Sequence, residues 1–228
     1  MAQGMTDGHL DTRYLDSIPL FAALPTETHT RLMRGAHQST YPRGSVIAHE
    51  GDPIDAVLIV REGRIKTFHV NVDGEEHVLD VLHDGQAVWH GLFLPDHTYH
   101  YSVGCLTRVS LSSIRRQEFE GALLAHPEGA LKLVHILSGE LDAAEEKLMM
   151  LGVRDPRQRL ADYLLHRDAR CLGGEIDLKL EDIARSINLR PETVSRTFTN
   201  FEHDGLVVRL GRGRLKVLDH AALRDVSV

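Results

Sequence analysis

The residues best equipped for chemistry gather near the end of the chain. Glu192, Ser195 and Arg196 follow Pro191, and positions i, i+3 and i+4 share one face of a helix. A carboxylate on such a face can accept a hydrogen bond from cytosine N4, and a guanidinium can pair bidentately with guanine O6 and N7. A face of this composition has the chemistry to hydrogen-bond base edges, and it can equally be a plain solvated helix face. Arg190, Thr193 and Thr199 flank it. Residues 205–210 and 214–218 then form two strand-like runs around Gly211-Arg212-Gly213, the pattern of a hairpin with a basic tip. Arg209, Arg212, Arg214 and Lys216 could reach phosphates there. Such contacts anchor a protein without reading sequence and make binding salt-sensitive.

Short helices must position this triplet. Leu160, Ala161, Leu164 and Leu165 mark one apolar face, and residues 181–187 predict a second helix with Ile183, Ala184 and Ile187 inward. Asn188 tolerates the left-handed conformation that ends helices, and Pro191 suits the first position of the next one. Along that helix Val194, Phe198 and Phe201 form the apolar side. Two short helices joined by a tight turn, the second with polar outer residues, are a helix-turn-helix.

Upstream, Ala130, Val134, Leu137, Leu141, Ala144, Leu148 and Leu151 recur at alternating steps of four and three, a seam suited to a two-stranded coiled coil. A parallel homodimer through Val134, Leu137, Leu141, Ala144, Leu148 and Leu151 follows; the alternative is one helix packed on its own domain. Asp155-Pro156 restarts the chain as a cap and first helical residue, which sets a hinge near residues 151–154. From about residue 40 to 111, short apolar or alternating runs are cut by seven glycines, and Asp73-Gly74 marks a hairpin. The spacing predicts a small antiparallel barrel or jelly roll, or another all-β sandwich. The expected organisation is a barrel with an N-terminal helical segment over 1–126, a dimerising helix over 127–153 and a winged helix-turn-helix over 154–228.

The bulk properties agree with a reading head on an acidic body. The 228 residues carry a net charge of −7, yet the sign changes along the chain. Residues 1–153 hold 12 Lys+Arg against 21 Asp+Glu, a balance of −9, and residues 154–228 hold 14 against 12, a balance of +2. Basic groups thus collect where a polyanion would be met. The two cysteines, Cys105 and Cys171, are too few for a disulfide framework and fit a reducing cytoplasm. No apolar run approaches the roughly 20 residues that span a bilayer, so no membrane is expected. Residues 1–12 are polar and lack the apolar stretch of a signal peptide; they read as a loose tail.

The run Asp182-Ile183-Ala184, Pro191-Glu192-Thr193-Val194-Ser195-Arg196 and Gly205-Leu206, with the turns Gly44, Glu50-Gly51-Asp52 and Gly63, resembles the Crp/Fnr family of transcription regulators from about residue 18 to 226. The resemblance implies an α+β architecture: a cyclic-nucleotide-binding-like barrel, a dimerising helix and a winged helix-turn-helix. It implies base contacts from Glu192, Ser195 and Arg196, with Arg190, Thr193, Thr199 and the basic hairpin on the backbone. The Glu-x-x-Ser-Arg form looks like the Fnr-type branch, which reads TTGA-type half-sites in a palindrome; the Arg that precedes the Glu in the Crp branch is Pro191 here. Lys179 and Arg190 stand where the family places capping Ser or Thr, each loss costing about 1 kcal/mol. RNA polymerase is a partner that the resemblance allows, although no surface for it is legible.

The family's barrel holds an effector, and here the sequence departs from the best-known ones. Members that bind cAMP carry a Glu and an Arg-Ser/Thr pair; residues 85–93 contain no Glu and 96–102 no Arg. An anionic phosphate needs a cation or a set of N–H donors, which argues against cAMP. Two distant thiols do not make a four-cysteine iron–sulfur cluster. Trp89-His90 lies where haem-binding, gas-sensing relatives carry an axial histidine, so His90 is a candidate haem ligand. Trp89, His90, Leu92, Phe93, His97, His100 and Tyr101 are the candidate effector pocket, for a small molecule or a gas. A regulator with no ligand is the alternative. His97 and His100 with a carboxylate could also serve a metal-dependent barrel enzyme, but no matching His-x-His and Glu follow, and the basic hairpin would be unexplained. The chain reads as a non-enzyme with no metal site of its own beyond a haem.

Overall fold

The alternating runs of the first half assemble into two four-stranded antiparallel sheets, in the order β1-β8-β3-β6 and β2-β7-β4-β5. The strands are β1 (His37–Tyr41), β2 (Val46–Ala48), β3 (Ala56–Glu62), β4 (Ile65–Val70), β5 (Glu76–Leu82), β6 (Ala87–Val88), β7 (Ser102–Cys105) and β8 (Val109–Arg115). The computed structural model describes Ile18, Phe21 and residues 24–169, 174–211 and 213–227, without the side chain of His90. The expected N-terminal tail, Cys171 and Arg212 lie outside the described residues.

Val57, Leu58, Ile59 and Val60 of β3 are all buried, which an alternating half-buried strand would not be. One side of this strand faces the inside of the barrel. Helices α1 (Thr26–Gly35) and α2 (Arg116–Ala125) pack on the β3–β8 sheet and cover the other. Phe21, Phe119, Leu92, Val103, Leu111 and Ile114 complete this core. Of the seven glycines, Gly44, Gly51, Gly63, Gly74 and Gly85 take positive φ in turns, whereas Gly104 lies inside β7 and Gly91 in a 3₁₀ turn. Gly63 has φ +96°, and a Cβ there would come 2.2 Å from the Arg108 carbonyl oxygen, so only glycine lets β3 turn into β4 against the β7–β8 connection.

The long helix, α3 (Pro127–Gly152), carries two apolar faces rather than the single narrow seam expected. Leu133 is buried in the barrel core and Ile136 packs against it. At Gly129 a Cβ would sit 2.6 Å from Leu24. On the other face Val134, Leu137, Leu141 and Leu148 are 40–69% exposed in the single chain. Both sequence readings of this helix therefore hold a part of the truth: it packs on its own domain and still leaves a seam open.

Two compact units emerge, one of residues up to 69 with 80–140, the other of residues 70–79 with 141–228. The second contains α4 (Pro156–Asp168), α5 (Leu180–Ser186), α6 (Pro191–His203), the hairpin β9 (Val207–Gly211) and β10 (Arg214–Val217), and α7 (His220–Ser227). Asp155 caps α4 by accepting from the Arg157 N–H at 2.9 Å, with Pro156 at the first helical position. Leu160, Leu164, Ile183, Ile187, Val194, Phe198, Phe201 and Leu223 form its core. Ile176 exchanges two 2.8 Å backbone hydrogen bonds with Leu215, adding a third extended segment beside β10. That pairing leaves no mark in the local sequence pattern. Within this unit Lys147 donates to the carbonyls of Val78 and Leu79, and Arg185 pairs with Glu76 at 3.6 Å.

Candidate nucleic-acid interface

The turn between α5 and α6 follows from one residue. Asn188 adopts φ +53°, a left-handed conformation that Asn reaches more cheaply than most side chains. Around it the Ile187 N–H donates to the Ile183 carbonyl at 3.1 Å and the Leu189 N–H to the Ala184 carbonyl at 3.0 Å, which closes α5. Arg190 is extended and hands over to Pro191, whose missing N–H costs nothing at the first helical position. Neither Lys179 nor Arg190 caps its helix with a side chain.

Val194, Phe198 and Phe201 are fully buried and Thr197 nearly so. Truncating either phenylalanine would cost about 3–5 kcal/mol, so the core side of α6 fixes its roll. That roll leaves Glu192, Ser195 and Arg196 exposed. Among the described residues no side-chain hydrogen bond or ion pair occupies Glu192 or Arg196. A carboxylate, a hydroxyl and a guanidinium therefore stand together on one solvent face, each free to meet a base edge. Arg190 and Thr199 are exposed beside them and Thr193 is half-buried.

On the hairpin, Lys216 is exposed and Arg214 pairs with Glu175 at 3.6 Å. Arg209 points back to α6, where its guanidinium meets Glu202 at 2.6 Å and lies 4.8 Å from the centre of the Phe198 ring. A second pair repeats the pattern: Arg157 donates to Asp204 at 3.0 Å and lies 5.0 Å from the Phe201 ring. That hydrogen bond from Arg157 holds the Asp204 carboxyl below the usual carboxylate range. Arg159 donates to the Val153 carbonyl at 2.9 Å and to the Ile187 carbonyl at 3.1 Å. The segment just after α3 thus shares a guanidinium with the helix-turn-helix. Arg157, Arg159, Glu202 and Asp204 were missed in the sequence because their partners are 6 to 47 residues away, with no local pattern to link them.

The residues of the candidate effector pocket divide between core and surface, with Trp89 edge-on to Phe93 at 6.3 Å between ring centres. Trp89 and Leu92 are core residues, whereas Phe93 is 44% exposed. His97 has φ +48° and both ring nitrogens engaged: Nδ1 donates to the Leu92 carbonyl at 2.9 Å, so Nε2 accepts from Arg116 at 3.2 Å. His100 pairs with Asp96 at 2.8 Å on the surface. Neither histidine fits the axial position of a haem, which needs a free ring nitrogen in an apolar pocket. His90 opens a one-turn 3₁₀ helix (His90–Phe93), and its side chain lies outside the described residues. Among the described residues no group of three His, Cys, Asp or Glu could hold a metal ion. Tyr101 does pack on Tyr99, ring centres 6.4 Å apart. Burial pushes the Tyr99 hydroxyl up to about 12. Burial raises Tyr101 further, helped by Tyr99 and by Glu140 and Asp80, two acids that sequence reading did not associate with it.

A β-barrel of this order joined to a helix-turn-helix and wing defines a class, the DNA-binding transcription regulators with a sensor-type domain. The family model for the cyclic nucleotide-binding domain matches residues 38–126, and that for the Crp-like helix-turn-helix domain matches residues 158–226. The "Cyclic AMP receptor protein" of Thermus thermophilus is 26% identical over 209 residues, covering 92% of this chain and 96% of that protein. The "Transcriptional activator protein anr" of Pseudomonas aeruginosa is 26% identical over 189 residues, covering 79% and 76%. Among solved structures, FixK2 from Bradyrhizobium japonicum superposes with a TM-score of 0.75 at 23% identity, over 85% of this chain and 98% of that one. The chain belongs to the Crp/Fnr family of transcription regulators. No helix among the described residues is long and apolar enough to cross a membrane.

Proposed function

We propose that this chain works as a cytoplasmic homodimer that reads a two-fold symmetric, TTGA-type DNA site under the control of a small effector in the barrel. The observation that carries the reading is the solvent face of α6. Glu192, Ser195 and Arg196 project together while Val194, Phe198 and Phe201 hold the helix from behind. Lys216, Arg190, Thr193, Thr199, Arg212 and Arg214 supply the phosphate contacts. The open seam of α3 supports pairing of two copies, which must present their α6 helices about 34–36 Å apart to enter successive major grooves.

The test is selection of bound sequences from random DNA by the purified protein, followed by gel shift. Arg196→Ala should lose about 1–3 kcal/mol on the selected site and leave binding to random DNA unchanged. An equal loss on both would remove the base-reading role.

The effector reading is supported by the paired tyrosines, buried Tyr99 and half-buried Tyr101. With Asp80 and Glu140 near enough to raise the Tyr101 hydroxyl, a neutral or cationic molecule suits the region better than an anionic phosphate. An effector-controlled protein stripped of small molecules should bind its site weakly and regain affinity with a low-mass cell fraction. Full affinity after stripping would make it a constitutive DNA-binding protein.

A further inference from the structure

We infer that Arg209 is a positioning residue: with Glu202 it staples the wing to the recognition helix, and it is not a phosphate contact. The inference rests on the reading that this unit binds DNA. From the sequence Arg209 looks like any other wing cation. In the structure its guanidinium is already committed. Nη1 meets Glu202 Oε2 at 2.6 Å, Nη2 donates to Thr199 Oγ1 at 3.4 Å, and its flat face covers Phe198. Glu202 is equally occupied, since its Oε1 accepts from the backbone N–H of Arg209 at 3.0 Å. Thr199 passes the chain on by donating to the Ser195 carbonyl at 3.0 Å. One strand residue is thus fastened to three residues of α6, two of them on the turns that carry Ser195.

The pair is electrically neutral, so it offers a polyanion little net attraction. Reaching a phosphate would strip the arginine of its bonds to Glu202 and Thr199 and leave the carboxylate bare beside DNA. Only the planar, forked guanidinium can hold a carboxylate, a hydroxyl and a ring face at once; a lysine keeps the charge and loses the geometry. The staple sets the angle between the wing and α6, so that Lys216 and the hairpin tip arrive at the backbone when Glu192, Ser195 and Arg196 reach the bases.

The two roles predict opposite signs. For a phosphate contact, Glu202→Gln frees the arginine, removes a negative charge and tightens binding, and Arg209→Lys stays near wild type. For a staple, both variants weaken binding. We expect each to bind the selected site about tenfold more weakly, equivalent to about 1.4 kcal/mol, with unchanged melting temperature. The double variant should be no weaker than either single one. The slope of log affinity against log salt should stay at the wild-type value in Glu202→Gln. In Lys216→Ala it should shrink by about 0.9 for each phosphate released. Tighter binding by Glu202→Gln, or wild-type affinity in Arg209→Lys, overturns the staple. If the wild-type protein selects no DNA, the DNA reading fails instead. The staple is then decided by amide hydrogen exchange of residues 207–211, which must quicken in Glu202→Gln while Phe198 and Phe201 amides stay protected; unchanged exchange overturns it.

Discussion

Arginine does two jobs in the C-terminal unit, and the difference lies in what each guanidinium has beside it. Arg196 has solvent, so it is available to a base. Arg157 and Arg209 have a carboxylate at one end and a buried phenylalanine beneath, so they shape the surface instead of reading with it. The Arg157–Asp204 pair has a pH signature. Because the Asp204 carboxyl is held below its ordinary value near 3.8 by the Arg157 hydrogen bond, its contribution to stability is present above that value. It is lost as the pH falls through the lowered one. Asp204→Asn should therefore melt below the wild type at pH 7, and the two curves should converge as the pH drops below 4. A gap that widened in acid would contradict the assignment.

At the scale of elements, sequence pattern carried furthest where a local rule fixes the outcome. Asp155-Pro156 started α4, Pro191 started α6, and Asn188 made the turn between the reading helices. Asn188→Gly should be nearly neutral, whereas Asn188→Val, a β-branched residue in a left-handed conformation, should lose about 1–2 kcal/mol in urea unfolding. The turn glycines of the barrel were legible for the same reason. What stayed hidden depends on partners distant in sequence. The Ile176–Leu215 pairing, the double-faced α3 and the Arg209–Glu202 staple each join elements that no short window contains. The effector region shows the other limit. His97, His100 and Trp89 are neighbours in sequence, yet one is locked between Leu92 and Arg116, one faces solvent and one fills the core. Proximity along a loop says nothing about where side chains turn, and the acids near Tyr101 come from β5 and α3.

For the whole molecule, the exposed seam of α3 makes a single chain an incomplete object. Leu141→Glu puts a charge in the middle of that stripe. It should leave the barrel core untouched, since Leu133 and Ile136 lie on the other face, and yield a monomer by analytical ultracentrifugation. Affinity for a palindromic site should fall with it, while a half-site is bound as before; a dimer that survived the substitution would place the subunit contact elsewhere. One guanidinium then bears on how such a dimer could change state. Arg159 grips the chain just past α3 and the turn between α5 and α6 in the same hand. Any shift of the backbone at Val153 is therefore passed to the turn at Ile187 through a single side chain.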